Sequence, residues 1–210
     1  METKASLLPS LIKSVAEVIE QNSAEVTKLD QAIGDGDHVF NLQRGLKALI
    51  DQSTELEQLD WSTAFQKIGM TLMSTMGGAS GSLFGTLFLA LSKATPKEQL
   101  LTITIFSAAF SQAVEAVKKR GKADAGEKTM LDVLIPVVES LQQSVTAGSA
   151  SIDALKNLKN TAIIGVESTR DMLATKGRAS FLGERSRGHI DAGAKTSQLM
   201  ICTIADLIES

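Results

Sequence analysis

Three carboxylates lie close together in the stretch Asp30-Gln-Ala-Ile-Gly-Asp-Gly-Asp37, inside what we call the acidic segment, residues 29–41. Two glycines between them, Gly34 and Gly36, let the backbone fold sharply enough for the side chains to converge. Two carboxylates about 5 Å apart repel by roughly 3 kcal/mol at an effective dielectric constant of about 20, so such a cluster needs a cation or raised pKa values. Oxygen ligands on a tight loop favour Mg²⁺ or Ca²⁺. A solvated acidic turn is the alternative, and the spacing alone does not decide between them.

A second stretch, Gly77-Gly-Ala-Ser-Gly-Ser82, immediately precedes an apolar helical pattern and forms the core of the glycine segment, residues 76–85. Consecutive small residues leave backbone N–H groups open, and a helix N-terminus adds a dipole that favours anions. The stretch lacks the Gly-Lys-Ser/Thr of a P-loop, and no strand precedes it as in a Rossmann turn. A close helix–helix crossing would also need small residues, so this pattern does not identify an anion site by itself.

Two further connections are rich in glycine and charge, the lysine segment (residues 120–130) and the arginine segment (residues 175–194). We expect Lys122, Glu127 and Lys128 to form a solvated face. The arginine segment carries four basic side chains that could hold phosphates, because guanidinium forks bind them in a bidentate manner: Lys176, Arg178, Arg185 and Arg187. A cation loop, an anion-binding helix start and an arginine-rich loop are together the parts needed to bind a magnesium nucleotide.

Helical periodicity dominates the rest of the chain. Eight apolar faces begin near Leu7, Phe40, Trp61, Leu83, Lys97, Met130, Ile152 and Leu199. Residues 102–106 alternate as a strand would, but a strand without a partner is not viable, so we expect helix there. The pattern predicts an all-α fold, an eight-helix antiparallel up-and-down barrel or bundle in one domain over residues 1–210. Alternating helix directions would bring the four segments to one end.

Composition excludes several classes of protein. The 21 basic and 24 acidic residues are evenly spread and give a net charge of −3, which argues against a nucleic-acid surface. No apolar run approaches the roughly 18 residues of a membrane helix, and the N-terminus lacks a signal-peptide pattern. One cysteine, Cys202, rules out a disulfide framework. We expect a soluble cytoplasmic protein.

The four segments together resemble the nucleotide-binding L subunit of dihydroxyacetone kinase, in the order of that family and over nearly the whole chain. The resemblance is carried by Ile33-Gly-Asp-Gly-Asp-His38 with Asn41, Gly77-Gly-Ala-Ser-Gly81, Arg120-Gly-Lys…Lys128-Thr-Met130 and Lys176-Gly-Arg-Ala-Ser-Phe-Leu-Gly-Glu-Arg185 with Asp191-Ala-Gly193. It implies an eight-helix barrel with ADP and two Mg²⁺ ions at one end. One departure from the pattern of the family is Val39, where relatives often carry glycine.

The resemblance also implies roles for individual residues. The implied magnesium ligands are Asp30, Asp35 and Asp37. The implied nucleotide contacts are His38, Val39, Phe40, Asn41, Ala79, Ser80, Gly121, Met130, Arg178, Asp191, Ala192 and Gly193. Ser80 and Arg178 would position the phosphoryl group, and no side chain is required as a nucleophile.

The family's ATP-dependent members fuse a substrate-binding K domain to the L-like domain, and only L-like motifs occur in this sequence. The resemblance therefore implies the phosphoenolpyruvate-dependent type. In that type a phosphohistidine protein of the phosphotransferase system donates the phosphoryl group, bound ADP cycles with ATP, and dihydroxyacetone is held on a partner K subunit. We expect a homodimer. The alternatives are a kinase subunit for another short ketose, such as a four-carbon one, and a regulatory ADP-binding module.

Overall fold

The computed structural model describes residues 2–209, and the all-α prediction is confirmed. The α-helices are α1 (Leu8–Gln21), α2 (Ser23–Ile33), α3 (His38–Ile50), α4 (Ser53–Leu56), α5 (Trp61–Thr75), α6 (Gly78–Ala94), α7 (Ile103–Gly121), α8 (Leu131–Thr146), α9 (Ser151–Ser168) and α10 (Ala192–Glu209). A 3₁₀ helix spans Ala5–Leu7, and Arg178–Ser186 is 3₁₀-helical on both sides of a kink at Gly183. Two short strands are β1 (Glu2–Lys4) and β2 (Leu100–Thr102). None of the helices in this described part of the chain is long and apolar enough to cross a membrane.

The long helices pack in a closed ring. Helix α1 packs on α3, α3 on α5, and each later helix from α5 to α10 on the next, while α10 returns to α1. Their inward faces form one continuous apolar core. An apolar cavity of about 250 Å³ lies within this core, lined by side chains such as Leu11, Phe65, Leu87 and Leu134. The acidic, glycine, lysine and arginine segments span the connections α2–α3, α5–α6, α7–α8 and α9–α10 of this ring, in that order.

The expectation of eight helices missed two that lie within residues 2–209, α2 and α4. Helix α2 follows α1 after the single residue Asn22 and buries only two of its side chains, Val26 and Ile33. Because this apolar stripe is so narrow, the sequence carries little helical periodicity there. The omission matters for function, since the last turn of α2 carries Asp30.

The helix expected to begin near Lys97 begins later, at Ile103. The residues just before it form β2, which pairs antiparallel with β1 near the start of the chain. The strand partner that the sequence did not reveal is therefore the N-terminus. Thr102 is the last residue of β2, and its side chain caps α7 by accepting a hydrogen bond of 3.2 Å from the backbone N–H of Ile105.

The predicted apolar face of α3 is partly wrong. Phe40 is 65% exposed and Ile50 is 40% exposed, whereas Val39 is buried with Leu42 and Leu46 in the core. His38 also faces inward, so the buried face of the helix begins two residues before Phe40. Val39 therefore directs its side chain into the core and not into the acidic loop.

Candidate functional site

The acidic cluster forms where α2 ends and α3 begins. Asp30 lies in the last turn of α2, while Asp35 and Asp37 lie in the loop that follows. One carboxylate oxygen from each residue lies within 4.8 Å of the others. Gly34 is required by close packing, since a Cβ there would come within 2.1 Å of the Asp30 Oδ1 atom. Three converging carboxylates supply an all-oxygen donor set that fits a hard divalent cation.

His38 connects this cluster to two other helices. Its backbone N–H donates to Asp30 Oδ2 at 3.1 Å. Its ring is buried, with Nδ1 at 3.0 Å from the Ser80 hydroxyl and Nε2 at 2.9 Å from the Thr196 hydroxyl. Burial lowers the pKa of His38, and the three nearby aspartates oppose that shift only in part. The ring is therefore neutral near pH 7, with one nitrogen as a donor and the other as an acceptor.

The glycine segment presents the N-terminus of α6 beside His38. Gly78 opens the helix in a left-handed conformation, with φ at +67°, and the N–H groups of the first turn have no acceptor within the helix. Ala79 is exposed and Ser80 is half-buried in this turn. The free N–H groups, the helix dipole and the Ser80 hydroxyl form an arrangement that favours a phosphate group.

Asn41 and Arg44 of α3 lie against the start of the glycine segment. Arg44 donates from Nε to the carbonyl of Thr75 at 2.5 Å and from Nη2 to Asn41 Oδ1 at 3.0 Å. A Cβ on Gly77 would lie 2.5 Å from Arg44 Nη2, so a larger residue there would displace the arginine side chain. The Arg44 guanidinium also lies over the ring of the exposed Phe40, at 5.6 Å from its centre. Arg44 belongs to the site's support, and no motif in the sequence pointed to it.

The lysine segment contacts the glycine segment through Arg120, whose Nε donates to the Ser82 hydroxyl at 2.7 Å. Gly121 ends α7 next to Leu83, and the left-handed residue that follows is Lys122. Met130 is only 5% exposed, so it presents little side-chain surface to a ligand.

The expectation of a solvated face is correct for Lys122, which is exposed, and wrong for Lys128. Lys128 is 1% exposed, and its ammonium donates to the backbone carbonyls of Thr169, Arg170 and His189. Burial lowers the pKa of Lys128, and the surrounding aspartates partly offset this effect. Glu127 is partly buried and lies 3.5 Å from the ammonium of Lys176.

The arginine segment reaches back to the acidic cluster. Arg178 Nε lies 2.7 Å from Asp35 Oδ2, and this arginine remains largely exposed. Arg187 is engaged locally, with Glu184 at 2.8 Å and the carbonyl of Asp171. Arg185 is exposed and forms no ion pair within residues 2–209. Of these cations, Arg178 is therefore the one that lies at the acidic cluster.

Asp191 caps the start of α10. Its Oδ2 accepts a hydrogen bond of 2.7 Å from the N–H of Ala194, and its own N–H donates to the Thr169 hydroxyl at 3.1 Å. Burial raises the pKa of Asp191 to about 6, against the lowering effect of the Ala194 hydrogen bond and of Lys128. Ala192 is buried, and Gly193 packs close to the backbone of Met130.

The predicted convergence of the four segments is confirmed by direct contacts. Each segment touches the next, and the last returns to the first. The contacts are His38–Ser80, Arg120–Ser82, Lys128–His189 and Arg178–Asp35. The arrangement thus combines an acidic cluster, a helix N-terminus and a guanidinium at one place. Such a site can bind and orient the phosphates of a metal-bound ligand.

Comparisons with known proteins agree on one family. The DAK2 domain model matches residues 32–206. The chain is 44% identical over 193 residues to the ADP-binding subunit DhaL of PEP-dependent dihydroxyacetone kinase 1 from Listeria innocua, covering 90% of this chain and 89% of that protein. It is 41% identical over 189 residues to the ADP-binding subunit DhaL of the PEP-dependent dihydroxyacetone kinase from Escherichia coli, covering 90% of each.

A solved structure has the same fold. The dihydroxyacetone kinase from C. freundii in complex with AMP-PNP and Mg²⁺ matches with a TM-score of 0.70 and 22% sequence identity. The match covers 99% of this chain and 35% of that chain. At this identity the likeness establishes the helical architecture alone.

Proposed function

The chain belongs to the DAK2 domain family, and we propose that it is the ADP-binding subunit of a phosphoenolpyruvate-dependent dihydroxyacetone kinase. The observation that carries the proposal is the pairing of the acidic cluster with the start of α6. His38, the residue that follows Asp37, joins the two: its ring nitrogen Nδ1 lies 3.0 Å from the Ser80 hydroxyl at the start of α6. A metal site and a phosphate site this close together suit a nucleoside diphosphate or triphosphate.

Asp30, Asp35 and Asp37 are the proposed magnesium ligands. Their carboxylates converge, and the donor set suits Mg²⁺. We propose two ions, which would neutralise charge on the nucleotide phosphates and on the phosphoryl group in transfer. The aspartates also repel one another, so a bound cation stabilises the folded loop.

The phosphates are proposed to lie at the start of α6, against the N–H groups of Ala79 and Ser80. Arg178 Nε lies 2.7 Å from Asp35 Oδ2 at the acidic cluster, and its guanidinium is proposed to bind the same phosphates. These two groups act by orienting the phosphoryl group and by stabilising negative charge.

The rest of the nucleotide is proposed to contact three places around the acidic cluster and the start of α6. The first turn of α3 provides residues 38–41, including the exposed ring of Phe40. The end of α7 provides Gly121, with Met130 beyond it. The start of α10 provides Asp191, Ala192 and Gly193.

None of these residues needs to act as a nucleophile in the proposed reaction. A phosphohistidine protein of the phosphotransferase system would supply the phosphoryl group, and a K subunit would present dihydroxyacetone. This chain holds the nucleotide between the two steps, cycling between ADP and ATP. Its contribution is positioning and electrostatic stabilisation. A homodimer and a cytoplasmic location complete the proposal.

The proposal is tested by reconstitution with purified components. The chain is combined with Mg-ATP and dihydroxyacetone, with and without a K-type subunit, and in a second series with ADP and a phosphohistidine donor. We expect sustained phosphorylation of the ketone only when the K-type subunit is present. Sustained turnover by the chain alone would overturn the subunit assignment. A four-carbon ketose in parallel distinguishes the alternative substrate.

A further inference from the structure

We propose that Lys128 is a positioning residue, whose ammonium fixes the start of α10 at the nucleotide site by holding three backbone carbonyls. The carbonyls belong to Thr169, Arg170 and His189. The inference rests on the proposed function in one respect, since nucleotide is the ligand whose binding it would affect. Lys128 itself does not touch the nucleotide in this proposal.

The surroundings of Lys128 are unusual for a lysine. Its side chain is 1% exposed and is among the largest fully buried side chains within residues 2–209. An ammonium has three N–H donors, and here each has a carbonyl acceptor. No carboxylate in the described part of the chain lies within ion-pair distance of it. Lys128 is therefore held by backbone dipoles, and a buried charge so placed is retained only where its hydrogen bonds are complete.

The backbone around Lys128 is built to direct this side chain inward. Lys128 adopts φ of +63°, a left-handed conformation that residues other than glycine rarely take. The carboxylate of Asp132 holds the turn by accepting from the N–H groups of Gly126 at 2.5 Å and Thr129 at 2.8 Å. A strained residue persists only where its surroundings determine it, which is typical of functional positions.

The three carbonyls lead directly to the start of α10. Arg170 O also accepts from the N–H of Gly188 at 2.8 Å, and the Thr169 hydroxyl accepts from the N–H of Asp191 at 3.1 Å. Residues 188–191 are thus attached to residues 169–170, and the Lys128 ammonium bonds to both stretches. Lys128 precedes Met130 by two residues, so this one side chain fixes the α10 start relative to the other edge of the proposed nucleotide site.

The positive charge is also suited to its location. Burial lowers the pKa of Lys128, and the charges of Asp191, Asp171 and Asp132 offset part of this effect although none forms an ion pair with it. A neutral side chain of the same length would leave the His189 carbonyl without a donor. It would also remove one of the two donors of the Thr169 and Arg170 carbonyls, which keep the N–H groups of Met172 and Gly188. Buried acceptors without partners are strongly disfavoured. The segment 188–193 would then move to find water or other donors.

The test compares Mg-ADP binding by the parent chain, Lys128→Ala and the matched control Lys122→Ala, an exposed lysine of the same segment. Isothermal titration calorimetry gives the affinities, and circular dichroism verifies folding. We expect Lys128→Ala to bind at least about tenfold more weakly and Lys122→Ala to bind like the parent. Hydrogen exchange at residues 188–194 should become faster only in Lys128→Ala.

Chemical rescue then separates the charge from simple loss of packing. Propylammonium can occupy the space left in Lys128→Ala and should restore part of the affinity, whereas propanol at the same concentration should not. Equal rescue by both, or affinity within about twofold of the parent, would overturn the proposal. If Lys128→Ala does not fold, Lys128→Met keeps the aliphatic stem and must show the same loss of affinity, and parent-like binding overturns the proposal. A parent chain that does not bind Mg-ADP would instead overturn the proposed function.

Discussion

The Nε2 atom of His38 lies 2.9 Å from the hydroxyl of Thr196, a residue 158 positions further along the chain. The Thr196 hydroxyl itself donates to the carbonyl of Gly193 at 3.1 Å, so it accepts from the His38 ring. Nδ1 is then the acceptor in the neutral ring and receives the Ser80 hydroxyl at 3.0 Å. The position of Ser80 at the start of α6 is therefore set from α10, through a buried histidine.

The hydrogen bonds from Thr196 through His38 to Ser80, which we call the relay, predict the effect of a substitution at Thr196, a residue not proposed to contact nucleotide or magnesium. Thr196→Val keeps the shape of the side chain and leaves His38 Nε2 without an acceptor. We expect a loss of about 1–3 kcal/mol in the free energy of unfolding, because a buried donor becomes unpaired. Mg-ADP binding should weaken as well. Urea denaturation and calorimetry measure the two effects.

The control for that change is Thr161→Val on the exposed side of α9, where the hydroxyl bonds only to the Asn157 carbonyl of its own helix. It should leave both quantities nearly unchanged. If Thr196→Val behaves like Thr161→Val, the relay does not hold Ser80 in place.

Arg178 and Arg185 should separate nucleotide binding from partner docking. Arg178→Glu should weaken Mg-ADP binding and turnover together, because Arg178 lies 2.7 Å from Asp35 at the acidic cluster. Arg185 is exposed and free of ion pairs within residues 2–209, so Arg185→Glu should reduce turnover in the reconstituted system while ADP remains bound. Arg185→Glu turnover equal to the parent's would show that this face does not meet the partner.

The stability of the chain should depend on pH through Asp191. Its pKa is raised from 3.8 to about 6, so the folded state disfavours the charged form, and the stability of the parent relative to Asp191→Asn falls as pH rises through this range. The difference should be on the order of 1–3 kcal/mol, reached above the raised pKa. Asparagine can still accept the Ala194 hydrogen bond, so the helix cap is retained.

Unfolding free energies in EDTA across this pH range check the Asp191 prediction. Asp153→Asn, an exposed carboxylate of α9, is the control and should follow the parent at every pH. A parallel pH dependence in the parent and in Asp191→Asn would contradict the assignment of the raised pKa.

The parts of the site that could be predicted from sequence are those whose chemistry is local. Asp30, Asp35 and Asp37 lie within eight residues, and the need for Gly34 and Gly36 follows from the same short loop. The all-α fold was predictable for a similar reason, since most helices carry broad apolar faces. Helix α5, for example, buries Trp61, Phe65, Ile68 and Leu72 at spacings of three and four residues.

The features that sequence did not reveal depend on partners far along the chain. The strand β2 exists because the N-terminus pairs with it, as in the bond from the Thr3 hydroxyl to the Leu101 carbonyl across 98 positions. Lys128 looks like a solvated charge because its carbonyl acceptors lie 41 to 61 positions downstream. Thr196 lies within an ordinary helical pattern, and only the fold places it against His38.

Magnesium-dependent nucleotide binding by the aspartate cluster is the central claim, and one titration tests it most directly. Calorimetry measures ADP binding to the purified chain with Mg²⁺ and with EDTA, for the parent and for Asp35→Asn. We predict tight binding by the parent only with Mg²⁺, and affinity at least about tenfold weaker for Asp35→Asn, because a charged ligand is lost. ADP binding that is equal with and without Mg²⁺, or equal in the parent and Asp35→Asn, would contradict the account.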